Sequence, residues 1–393
     1  AVDADKTESV GLDGRINHEI RALTGLRGLA AADVALMHIN GSAQTFLTWF
    51  AFHNPAVDIF FCLSSFTLCL VYGAGTDRPF KFKEFAAARC ARIYPLYAIV
   101  LVVWTVYCAL WNQNLYSGYS WSGLIGDGVR QVLMINAWPI IGSGAHWIDP
   151  MWSLSVEAFG YVLVFPILFK LSGWTKSLPA SALLAAAIFF GCATFGFFTL
   201  FYNPGINSHH IPPATGFLIR WVAPVRGSCM FAAGWTAYLL YLNHPTVRRA
   251  LVKGADFVAI AMILIVAGQA AGIVSVELLV VLTPFLILGL VSTKSLTARI
   301  LSAEPLHFLG LISYSLYLLH WPVMVFVRSY IPGLAHRDLL RVAVTVGIAL
   351  VAAVLSYFFI ERPSRRRLRQ LLMPGSRGKA SNRLSHASTR SPG

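Results

Sequence analysis

Ten stretches of mainly apolar sequence constrain this chain more than any other feature. They begin near Leu26, Val57, Phe85, Met151, Leu178, Thr215, Ala255, Val274, Leu306 and Leu339. A helix of roughly 20 apolar residues crosses a bilayer, and only structures that satisfy their own backbone groups persist in hydrocarbon. The runs are continuous rather than alternating, which argues against a β-barrel. With 56% apolar and 12% charged residues, the chain reads as an all-α integral membrane protein of about ten transmembrane helices. The turn signal at Gly272 is the only mark between the seventh and eighth.

Lysine and arginine collect on the cytoplasmic side of such proteins. With the N-terminus inside, the cytoplasmic segments hold 25 of the 31 positive residues, so both termini are expected in the cytoplasm. The +14 net charge is then an orientation signal and a contact with anionic membrane lipids, not a nucleic-acid footprint. The reading divides the chain into a polar cytoplasmic segment at 1–20, a membrane domain at 21–363, and a basic tail rich in Ser, Gly and Pro at 364–393. The tail is expected to be disordered beyond its first turns. The six cysteines lie in or beside spans without metal spacing, and neither a metal site nor a separate soluble domain is expected. The loop at 111–150 is aromatic and polar, suited either to stacking on sugar rings or to packing at the interface.

The first span carries Arg27 and His38. Eleven helical steps return to nearly the same face, ~16 Å further along. Arg27 can therefore stay at the cytoplasmic surface while His38 hangs near mid-membrane. Glu157 in the fourth span, Arg226 in the sixth and His320 in the ninth fall in the same outer layer by residue count. Ionisable groups facing lipid are costly, so these should converge on a buried polar cavity. Asp33 is a candidate ion-pair partner of Arg220 or Arg226.

These residues carry a resemblance. The Arg27/His38 spacing, "VDIFFCLSSF" (57–66), "RCARIYPLY" (89–97), "WSLSVE" (152–157), "RGSCMFAAG" (226–234), "ISYSLYLLHWPV" (312–323) and "ERP" (361–363) occur in the order seen in the bacterial membrane acyltransferase 3 family. The sequence is similar to that family over most of 21–363. The resemblance implies multi-pass location in the bacterial inner membrane, acetyl-CoA or another acyl-CoA as cytoplasmic co-substrate with no permanently bound cofactor, and a glycan, lipid-linked sugar or other hydroxylated acceptor. It also implies a central role for the His of the first helix. Ser65 stands where the family has Gly, and Asp33 where it has an apolar residue.

The chemistry suits these residue types. An alcohol attacks a thioester slowly until a base takes its proton, and imidazole is the usual base near neutral pH. His38 is the expected base, with Glu157 as orienter and counter-charge. Fixed donors for the oxyanion are sought among Arg226, Tyr314, Ser315 and His320, which the sequence does not rank. Arg89 and Arg92, one helical turn apart, with Arg27 nearby, form an expected clamp for the phosphates of acyl-CoA. Pro95 is expected to break the third span there. A transporter or flippase for a lipid-linked glycan is the alternative from another class, although no inverted repeat is evident.

Overall fold

The structure is a computed structural model and describes residues 9–10, 16–17, 20–40, 55–111, 120–201, 218–331, 333 and 338–372. Most of the N-terminal segment, the stretches 112–119 and 203–213, and the tail beyond 372 lie outside the described residues. Apart from a two-residue antiparallel ladder, Ser9–Val10 with Ile16–Asn17, the described chain is helical.

Helices α1 (Arg21–Asn40), α2 (Pro55–Tyr72) and α3 (Phe82–Trp111) follow the first three apolar runs. A short helix, α4 (Trp121–Val132), precedes an irregular loop. The loop leads into α5 (Met151–Leu171), α6 (Ala180–Phe201) and α7 (Ala223–Asn243), the last entered through a π turn, Leu218–Val222. Next come α8 (Pro245–Ala270), α9 (Val276–Gly289) and the short α10 (Leu296–Ser302). Helices α11 (Glu304–Leu311), α12 (Ser313–Tyr330) and α13 (Asp338–Leu372) close the bundle.

Each of the ten runs is helical, but they are unequal. Seven helices, α1, α2, α3, α5, α6, α8 and α13, are long and apolar enough to cross a membrane, and α11 with α12 makes an eighth if the pair is one span. Helix α9 is a three-residue turn continued by eleven helical residues, too short for a full crossing by itself. Helix α7 is long but largely enclosed by α2 and α6, and it carries a buried arginine.

Two expectations about breaks are corrected. Helix α3 continues through Pro95, whose missing N–H costs one intrahelical bond without ending the helix. The break falls instead between α11 and α12, which meet at 68°. The depth of His320 is therefore counted from Ser313 and not from Leu306. The last helix runs on to Leu372, so the basic sequence after Glu361 begins as helix.

Candidate active site

Helix α1 places Arg27 and His38 at its two ends, and α11 and α12 pack along it. At the His38 end, His38 Nδ1 lies 2.9 Å from His320 Nε2, the two rings being nearly parallel with centroids 5.1 Å apart. Trp321 meets His38 edge-on. His320 is fully buried, and its Nδ1 lies 3.2 Å from the Leu316 carbonyl.

The carboxylate that meets His38 is Asp149, which corrects the expectation that Glu157 would do so. His38 Nε2 is 3.0 Å from Asp149 Oδ2, and His146 Nε2 is 3.0 Å from Asp149 Oδ1. Burial alone would raise the Asp149 pKa. The hydrogen bonds from His146 and His38, together with the attraction of both rings, outweigh burial and hold the group well below the usual carboxylate range.

Local chemistry explains how a loop residue reaches this position. Gln131 Nε2 and Asn136 Nδ2 both donate to the Ala145 carbonyl at 3.0 Å, and Gly144 turns the chain at φ 75°. Ser155 Oγ on α5 donates to the Met134 carbonyl and accepts from the Ala137 N–H. The loop is thus tied down on both sides of Asp149. At the start of α5, Ser153 Oγ and the Tyr317 hydroxyl are 2.5 Å apart, and Tyr317 stands edge-on to His320 with centroids 6.0 Å apart.

Below this centre, a cavity of about 190 Å³ follows α2 from Val57 to Val71, ~21 Å of helix. Arg27, Ser64, Arg92, Glu157, Tyr161 and Tyr314 are among its polar lining residues; Ser153 and Tyr317 line it too, and Tyr317 connects it to His320, which with His38 lies outside the lining. Glu157 accepts from Ser64 Oγ at 2.9 Å and from the Tyr161 hydroxyl. Arg27 Nη2 donates to the Gly310 carbonyl at 3.1 Å. Arg27 and Arg92 also lie within coulombic range of Glu361, which accepts from Ser315 Oγ at 2.8 Å. Arg89 is not among the cavity-lining residues and sits 6.0 Å from the Tyr161 ring.

Of the four oxyanion candidates, only His320 is brought against His38. Arg226 is ion-paired with Asp58, Nε to Oδ1 at 3.2 Å, and this replaces the expected pairing with Asp33. Arg220 donates to the Gly142 carbonyl. Ser315 serves Glu361, and Tyr314 donates to the Ile93 carbonyl at 2.5 Å. Sequence reasoning missed Asp149, His146, Ser64 and Asp58. The "HWIDP" stretch did hold a signal, two titratable residues three apart in an otherwise aromatic and apolar loop.

A multi-pass helical protein with a partly buried histidine–carboxylate centre above an arginine-bearing cavity belongs, as a class, with membrane-embedded group-transfer enzymes. The family described as acyltransferase domain matches residues 20–361, and the chain belongs to this family, the membrane acyltransferase 3 group. Among curated proteins it is similar to peptidoglycan O-acetyltransferase OatA of Listeria monocytogenes, 23% identical over 367 residues that cover 88% of this chain and 56% of that protein. It is similar also to the Bacillus subtilis protein named "Putative peptidoglycan O-acetyltransferase YrhL", 23% identical over 88% of this chain and 55% of that one. The chain spans a little over half the length of these relatives. No solved structure matches it.

Proposed function

We propose that this protein is an inner-membrane O-acetyltransferase that moves an acetyl group from cytoplasmic acetyl-CoA to a hydroxyl of a glycan such as peptidoglycan, with His38 as general base. The observation that carries the reading is the cavity along α2. It extends from Arg27 and Arg92 to Tyr317, whose ring stands edge-on to His320 beyond the lining, with a shape suited to a thin acyl-bearing arm. Arg27 and Arg92 would hold phosphate oxygens, since guanidinium forks match them. Relatives named as peptidoglycan O-acetyltransferases support the acetyl group and the class of acceptor.

The test is steady-state transfer from acetyl-CoA to peptidoglycan strands by protein in nanodiscs, following release of the CoA thiol. His38→Ala and His38→Gln should each lose roughly 10²-fold or more in kcat while still binding a non-hydrolysable CoA analogue. Arg27→Ala and Arg92→Ala should chiefly raise KM for acetyl-CoA, because their contacts exist before the transition state. A folded His38→Gln protein working at the wild-type rate would remove His38 as the base.

A further inference from the structure

The contacts around His38 fix its ring. Nε2 meets one oxygen of Asp149 at 3.0 Å, Nδ1 meets His320 Nε2 at 2.9 Å, and the other Asp149 oxygen is held by His146 at 3.0 Å. An ionised carboxylate can only accept, so His38 Nε2 is the donor toward Asp149.

We propose that Asp149 is the positioning residue of this centre: fixed at one oxygen by His146, it orients the His38 ring through Nε2 and is the counter-charge for the imidazolium formed in catalysis. The inference rests on His38 acting as base. With Nε2 held by Asp149, the nitrogen left to act as base is Nδ1, which the acceptor's hydroxyl reaches by displacing the His320 contact. His38 takes the hydroxyl proton there as the new C–O bond forms and the C–S bond breaks. The same proton then goes to sulfur, releasing the CoA thiol, so no net proton is gained or lost. The titratable groups facing His38 are His320 and, beyond it, Tyr317 on α12, with Asp149 and His146 on the loop.

A positioning role acts on the transition state and not on donor binding. In the nanodisc assay, Asp149→Asn should cut kcat roughly tenfold or more, with KM for acetyl-CoA within about twofold. Asp149→Glu should restore part of kcat. The Asp149→Asn/His38→Ala double variant should be no slower than His38→Ala alone, because the two residues act as one unit. If Asp149→Asn fails to bind the CoA analogue, His146→Ala carries the test, with a smaller fall in kcat at unchanged KM for acetyl-CoA. An inactive His38→Ala beside an Asp149→Asn protein with wild-type kcat overturns this inference alone. An active His38→Ala overturns the base assignment and this inference with it.

Discussion

Arg226 heads the fully buried side chains among the described residues, and its guanidinium is enclosed between Asp58 and the rings of Phe198 and Trp152. Removing one partner of a buried pair strands the other charge, at a cost of about 3–5 kcal/mol, whereas replacing both by apolar groups is often close to neutral. Arg226→Ala should therefore lower the thermal unfolding midpoint in detergent far more than Arg226→Met/Asp58→Leu does. Equal midpoints for the two variants would deny the pair its structural role. The sequence made Arg226 legible as a buried charge, but not its partner. Asp58 lies at the start of the second run, where an acidic residue also suits a helix N-terminus. His38 and His320 are expected in one layer, but by a count begun at Leu306 that the bend before Ser313 overturns, so their direct contact comes from the structure and not from that count. Asp149 was not legible, since a loop residue has no period by which to be placed.

At the scale of elements, the contact between α1 and α11 decides where Arg27 stands. A Cβ on Gly28 would come within 2.6 Å of the Gly310 backbone, and one on Gly310 within 2.0 Å of the Thr24 carbonyl. Two backbones so close leave no room for a methyl group, and small residues permit such approaches in membrane bundles. Gly310 also gives its carbonyl to Arg27 and to Ser313 Oγ. Gly310→Ala should force the helices apart, lowering the unfolding midpoint and raising KM for acetyl-CoA severalfold. An unchanged midpoint and KM would mean that this contact does not set the position of Arg27. The 68° bend beside it escaped sequence reading because no proline marks Ile312 and the apolar run from Leu306 is unbroken. Pro95 misled in the opposite sense. A proline costs a helix one bond without necessarily ending it, and here α3 continues while Tyr314 donates to the nearby Ile93 carbonyl.

For the whole molecule, the proposed transfer from a cytoplasmic donor to an outer acceptor requires the two ends of the site to face opposite sides of the membrane. Helix α1 separates Arg27 from His38 by ~16 Å. The cavity lies on the Arg27 side, and the loop bearing His146 and Asp149 closes the His38 side. The number of apolar runs was legible from sequence, but the sequence did not tell full crossings from the short α9 and the enclosed α7, since hydropathy measures composition and not what packs outside. Charge gives the orientation: five lysines and arginines lie in 78–92, while 120–150 holds only Arg130. The turn before α3 is therefore expected in the cytoplasm and α4 outside, where the exposed stripe of Trp121, Ile125 and Val129 can lie in the membrane interface. Single cysteines at Lys83 and Ser122, placed in a cysteine-free variant, test this with a membrane-impermeant thiol reagent. In intact cells Ser122→Cys should label and Lys83→Cys should not, and both should label once the membrane is opened. Labelling of both in intact cells would put donor and acceptor on one side. The ~16 Å between Arg27 and His38 would then have no transfer across the bilayer to explain it, and the acyl-CoA clamp would have to be sought away from the Arg27 end.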